Sequence, residues 1–145
     1  MKFKAPDRKI NVVTLGCPKN TVDSEKLLRQ IEAGGYSVFH DQEDFSGGTV
    51  IINTCGFIND AKEESIDTIL RFTELKKEGR IDKVIVIGCL SERYKITLRN
   101  EIPEADCWFG VNNTSEILKE LGLNLRNDYT NERILTNPGH YAYLK

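Results

Sequence analysis

The sequence predicts an α/β protein built as a three-layer, doubly wound, five-stranded parallel sheet. The first observation is a set of three β-branched runs, VVTLGC at Val12–Cys17, VIINTC at Val50–Cys55 and VIVIGC at Val84–Cys89, each ending in a cysteine. The second is that these runs are apolar almost throughout and lack polar alternation, the pattern of strands buried on both faces of a parallel sheet. The third is a strand–helix–strand alternation repeated along the chain, which gives a doubly wound topology. The expected strand order is the flavodoxin-like 2-1-3-4-5.

In chain order, the first strand is expected over Lys9–Leu15. The segment PKNTVDSEKLLRQIEAGG follows as a helix, with Asn20 as its N-cap and Asp23 and Glu25 at the positive end of its dipole. Gly34–Gly35 end it, and Val22, Leu27, Leu28 and Ile31 form its apolar stripe. Tyr36–His40 is a second short strand, DQEDFSGG a polar turn, and Thr49–Asn53 the third strand. A long helix is expected over Asn59–Lys77, where Ile66, Ile69, Leu70 and Thr73 recur at the i, i+3, i+4, i+7 spacing of a buried face. Gly79 is its stop, and Lys83–Ile87 is the fourth strand. The next helix runs from Ser91, as N-cap, to about Asn100 and is closed off by Pro103. Ala105–Phe109 is a weaker fifth strand, and a last helix runs from near Asn113 to Gly122. Residues 123–145 have no helical period and read as a linker with one short extended piece at Arg133–Thr136.

A chain of 145 residues is expected to form one domain with a core of its own. Its 39% apolar and 29% charged content is that of an ordinary soluble globular protein. The net charge of −2 and the lack of a dense Lys/Arg run argue against nucleic acid as the main partner, because phosphate binding needs a basic footprint. No apolar run is long enough to span a bilayer, and MKFKAPDRKI lacks the apolar core of a signal peptide. The expected location is the cytoplasm, with no membrane partner. Thiols stay reduced there, so four cysteines point to metal or redox chemistry.

All strand ends of a parallel sheet point one way, and ligands collect outside the carboxyl edge. In the order 2-1-3-4-5, strands one, three and four are neighbours about 4.8 Å apart, which would bring Cys17, Cys55 and Cys89 within roughly 10 Å. Any one of these cysteines alone would read as a small buried core residue. Three at equivalent positions predict one shared metal site. Thiolates select zinc, copper(I) or iron–sulfur clusters. A closed zinc site wants four ligands, usually from close cysteine pairs, whereas these cysteines are 38 and 34 residues apart. His40, at the end of strand two, and Cys107, within strand five, are the candidates for a fourth ligand. An iron–sulfur cluster held by three cysteines would instead leave one iron without a protein ligand.

Cys107 adjoins Trp108 and Phe109 and reads as core. Asn53 and Thr54 are expected to orient the Cys55 loop, and Gly16, Gly56 and Gly88 to admit close backbone approach to a bulky cluster. The helix directly after Cys17 would present N–H groups to the negative sulfides of a cluster. Lys62, Glu63 and Glu64 read as a solvated helix face, and His140 carries no role.

LGCPKNTVDSE, NTCGFINDAKEESIDTI and GCLSERY together resemble the N-terminal domain of the radical-SAM methylthiotransferases, over roughly residues 10–122. Pro18–Lys19–Asn20 and Gly56–Phe57–Ile58 resemble the branch that modifies the β carbon of an aspartate in small-subunit ribosomal protein twelve. The alternative, tRNA-modifying branch typically reads Gln-Met-Asn after the first cysteine. The resemblance implies that Cys17, Cys55 and Cys89 ligate an auxiliary [4Fe–4S] cluster that handles the inserted sulfur, with sulfide or methylthiolate at its open iron. Complete members carry a second [4Fe–4S] cluster on a C-x₃-C-x₂-C loop, which cleaves S-adenosylmethionine, and no such loop occurs in this sequence. Residues 1–122 are therefore expected to be the cluster-binding domain and 123–145 a linker toward a radical-SAM barrel domain absent from the chain. The 145 residues alone are expected to be inactive. The ribosomal protein substrate would be a partner of the full-length enzyme.

Two other classes compete with this reading. One is a structural zinc module using Cys17, Cys55, Cys89 and His40. The other is a flavodoxin-like module for a nucleotide or flavin. The second is the weaker, because LGCPKN offers one glycine and a proline where a Gly-rich phosphate loop would follow the first strand.

Overall fold

The apolar runs divide their side chains between two cores, one on each face of a single sheet. A computed structural model describes residues 9–15, 18–42, 45, 47–54, 59–110 and 114–123. Its strands are β1 (Lys9–Thr14), β2 (Ser37–His40), β3 (Thr49–Thr54), β4 (Lys83–Gly88) and β5 (Cys107–Trp108). They alternate with the helices α1 (Pro18–Ala33), α2 (Asn59–Lys77), α3 (Cys89–Glu101) and α4 (Thr114–Glu120). Every pairing is parallel and the order is β2-β1-β3-β4-β5, as the sequence predicts.

Successive strand residues point to opposite faces, and the burial follows that period. Ile10, Val12, Ile51, Ile85 and Ile87 meet Leu27, Leu28 and Ile31 of α1 and Ile117 and Leu118 of α4. Val13, Val50, Ile52, Val84 and Val86 meet Ile69 and Phe72 of α2 and Leu90 and Leu98 of α3. A strand covered on both sides has no place for polar alternation, which is why the runs read as they do.

Four expectations change in detail. Asn20 and Ser91 are not N-caps but interior residues of α1 and α3, both buried. Helix α1 starts at Pro18, where the missing N–H costs nothing. Its first turn therefore holds no acidic residue, and Asp23 and Glu25 lie beyond it. In α2, Leu70 is 46% exposed. The buried stripe there is Ser65, Thr68, Ile69, Phe72 and Thr73, rotated so that the large Phe72 anchors the helix.

The fifth strand shortens to two residues because a side chain takes over its pairing. The Asp106 carboxylate accepts the Val84 N–H at 2.8 Å, and Lys76 Nζ holds its other oxygen at 2.9 Å. The linker expected after residue 123, including Arg133–Thr136 and His140, lies outside the described residues, as does Asn113. No helix among the described residues is long and apolar enough to cross a membrane.

Gly88 combines a glycine-only backbone conformation with a close backbone contact. Its φ of 99° and ψ of −167° lie in a region essentially confined to glycine. A Cβ there would sit 2.5 Å from Thr54 O and 2.6 Å from Asn53 Oδ1. The close approach expected at Gly88 is thus made by the neighbouring strand. Gly79 also has positive φ, 81°, but a Cβ there would meet nothing within 4 Å. Gly88→Ala should therefore cost about 2–5 kcal/mol, from backbone strain plus overlap. Gly79→Ala should cost about 1–2 kcal/mol, from strain alone. Urea unfolding of the two variants checks this, and equal losses would contradict it.

Candidate functional site

The strand order places a topological switch point between β1 and β3. From β1 the chain crosses through α1 on one face to β2, and from β3 it crosses through α2 on the other face to β4. Helices α1 and α2 thus leave the carboxyl edge in opposite directions, and the crevice between them is where ligands of such sheets bind.

All three motif cysteines belong to this edge by sequence. Cys17 immediately precedes α1 and Cys55 immediately follows β3, and both lie outside the described residues, with Gly16 and Gly56. Cys89 is the first residue of α3, and its side chain also lies outside the description. The register still relates their neighbours. Thr54, which precedes Cys55, pairs with Gly88, which precedes Cys89. Thr14 pairs with Asn53, and the Leu15 N–H extends that ladder to Asn53 O at 3.0 Å.

Beneath the edge runs a buried polar network that spends its donors fully. The amide nitrogen of Asn20 donates to Leu15 O at 2.8 Å and to Thr54 O at 3.0 Å. Its two protons therefore bind the ends of β1 and β3 together. The amide nitrogen of Asn53 donates in turn to Asn20 O at 3.1 Å and to Ser24 Oγ at 3.0 Å. Thr14 Oγ1 donates to Ser24 Oγ at 2.6 Å and lies 2.8 Å from His40 Nε2. Asp41 accepts the Thr14 N–H at 2.9 Å, and its other carboxylate oxygen lies 3.4 Å from His40 Nδ1. Asn20, Asn53 and Ser24 are at most 4% exposed. In such surroundings each missing partner would cost the desolvation of a polar group.

Sequence reasoning placed Asn53 and Thr54 at this edge but missed Thr14 and Ser24. The available signal was polarity inside otherwise apolar runs. Asn11 shows the same signal: it is fully buried in β1, and its amide exchanges two hydrogen bonds with the Gln42 backbone, at 2.8 and 3.1 Å.

The fourth-ligand candidates differ in place. His40 does stand at the carboxyl end of β2, beside β1, with its Nε2 engaged by Thr14. Cys107 pairs with Ile85, three residues short of Gly88, and so lies off the edge by about 10 Å of strand. Burial, joined by the Glu120 carboxylate, pushes its thiol up to about 11, with Lys83 opposing. That environment disfavours the thiolate a metal needs. It lies beside the 2.9 Å Lys83–Glu120 ion pair, at the opposite end of β4 from Cys89.

Among the described residues, no three His, Cys, Asp or Glu side chains converge as metal ligands. A small cleft of about 100 Å³ opens between α1 and α4 and is lined by Asn20, Lys26, Asn53, Gly88, Gly110 and Thr114. Asn53→Ala should remove both amide donors and leave Ser24 and Asn20 under-satisfied, at a cost of about 1–3 kcal/mol. A loss under about 0.5 kcal/mol in urea unfolding, the range of an ordinary surface substitution, would contradict the network.

The chain matches the model of the family described as Uncharacterized protein family UPF0004 over residues 9–110. It is 54% identical over 136 residues to the "Ribosomal protein uS12 methylthiotransferase RimO" of Phocaeicola vulgatus, covering 94% of this chain and 32% of that protein. The protein of the same name from Bacteroides thetaiotaomicron is 54% identical over 138 residues, covering 95% of this chain and 32% of that one. The one from Cytophaga hutchinsonii is 49% identical over 146 residues, covering 100% and 33%. The chain thus spans about a third of the length of the curated relatives it matches. By a match that takes in most of its residues, the chain belongs to the Uncharacterized protein family UPF0004, the N-terminal domain of the methylthiotransferases.

Proposed function

We propose that this chain is the sulfur-handling domain of a methylthiotransferase, binding an auxiliary [4Fe–4S] cluster through Cys17, Cys55 and Cys89. The enzyme it belongs to would act on an aspartate of ribosomal protein uS12 in the cytoplasm. The observation that carries the reading is the register of Thr54 with Gly88, which makes the residues preceding Cys55 and Cys89 direct neighbours at the carboxyl edge of β3 and β4.

The residues present fit such a group. Three thiolates are the donors that iron–sulfur clusters take, and one fewer than a closed site uses. Ser91, two residues after Cys89, is fully buried, and its Oγ has no hydrogen-bond partner among the described residues. A hydroxyl left over in this way is suited to an acceptor beyond the protein's own. When bound, the cluster would supply an iron that takes sulfide or methylthiolate. The chain's part is to hold the strand ends. Asn20 and Asn53 clamp β1 to β3, and the apolar layers of Ile52 and Ile87 close the site from below. The protein supplies position rather than acid–base groups.

The names of the relatives support the uS12 substrate, and their length accommodates the rest of the reaction. Residues 1–122 would form the cluster-binding domain and 123–145 the linker. Cleavage of S-adenosylmethionine at a second [4Fe–4S] cluster, and docking of the ribosomal protein, would belong to the remaining two thirds of the full-length enzyme.

Anaerobic reconstitution with iron and sulfide tests the reading. Iron and acid-labile sulfide should be taken up in about a one-to-one ratio, as a cubane requires. Cys17→Ala, Cys55→Ala and Cys89→Ala should each abolish the brown absorbance, and Cys107→Ala should keep it. Methanethiolate or selenide should then shift the EPR signal of the reduced cluster, saturating at one equivalent. A spectrum unchanged at saturating thiolate would mean a capped fourth iron, and the sulfur-handling role would fail.

A further inference from the structure

Helix α3 begins without a cap of its own. Gly88 occupies its N-cap position, and no side chain of the helix's own leading segment caps it. The first N–H groups of a helix have no intrahelical acceptor and need one from elsewhere. The adjacent strand supplies it. Thr54 Oγ1 lies 3.4 Å from the N–H of Ser91, the third residue of α3, which is the group an N-cap side chain serves. The same hydroxyl donates to Ile87 O at 2.6 Å. Thr54 is fully buried, and its backbone lies so close to Gly88 that any Cβ there would collide with it.

Cap and glycine are therefore one device. The hydroxyl from β3 can stand at the head of α3 only because the residue at the N-cap has no side chain. Its two bonds join the last residue before Cys55 to the turn that carries Cys89.

We propose that Thr54 is a positioning residue for metal binding. It caps α3 from the neighbouring strand and thereby fixes Cys89 relative to the strand end that leads into Cys55. The proposal rests on the reading that Cys17, Cys55 and Cys89 share a metal. A structural role alone would lower stability without altering affinity per folded molecule, so affinity is the quantity to measure.

The test is anaerobic reconstitution of the whole chain with iron and sulfide followed by titration with an iron chelator, read from the brown charge-transfer absorbance, with the folded fraction followed by circular dichroism. Thr54→Val keeps the shape and removes both hydrogen bonds, whereas Thr54→Ser keeps the hydroxyl. Thr54→Val should lose its cluster at about 10–100-fold lower chelator concentration per folded molecule, the usual effect of losing an outer-shell partner. Thr54→Ser should stay within about threefold of the unaltered chain, inside that margin. Unchanged affinity in Thr54→Val, or equal weakening in both variants, overturns the proposal. Absence of that absorbance in the unaltered chain overturns the three-cysteine reading and this inference with it. Hydrogen exchange of the unaltered chain gives a reading that needs no variant. The Ser91 amide should be protected before metal is added, and exchange as fast as that of an uncapped first-turn amide overturns the cap.

Discussion

The side-chain amide of Asn53 is the constraint from which the carboxyl edge takes its form. At this edge two strands that lie side by side must send their chains to opposite faces of the sheet. Such a parting exposes backbone carbonyls that no ladder can satisfy, and buried carbonyls must be paired. Asn53 and Asn20 resolve this between them. One amide bridges Leu15 O and Thr54 O, and the other holds the helix that supplies the first through Asn20 O and Ser24 Oγ. Because the network sits in an apolar interior, each bond is stronger than in water and each vacancy costlier. The edge is consequently a rigid platform.

A rigid platform is what a site built from distant cysteines requires. Residues far apart in sequence can serve one ligand only if the elements that carry them are fixed to one another more firmly than the ligand alone could fix them. The Thr54–Gly88 contact joins β3 to the start of α3, and the Asn20 bridge joins β1 to β3. Cys107 shows the contrast. Its thiol sits on the edge strand β5 beside Glu120, off the carboxyl edge, and burial pushes it up to about 11. On β5 this residue type serves packing rather than metal binding.

How far the sequence could be read depends on which forces decide each feature. The five strands and their order were legible because burial on both faces leaves no polar alternation in runs such as VIVIG. The adjacency of the β1, β3 and β4 carboxyl ends was legible because strand order alone fixes it. Asn20 was misread because the residue types that cap helices locally also serve as buried clamps, and Ser91 because α3 takes its cap from Thr54 of the neighbouring strand. Leu70 was misread because spacing gives a helix's periodicity but not its rotation. The packing of Phe72 against the sheet decides that. Thr14, Ser24 and His40 lie far apart in sequence, so their contact was invisible until β2 lay beside β1.

The central claim is that the β1–β3–β4 carboxyl edge is the metal centre. Iron-edge anomalous diffraction from crystals of the anaerobically reconstituted chain tests it most directly. The account predicts a single iron cluster above Asn53 and Gly88, bonded to the sulfurs of Cys17, Cys55 and Cys89. Iron density beside Cys107 and Glu120, or a site completed by His40 in place of any of the three cysteines, would contradict it.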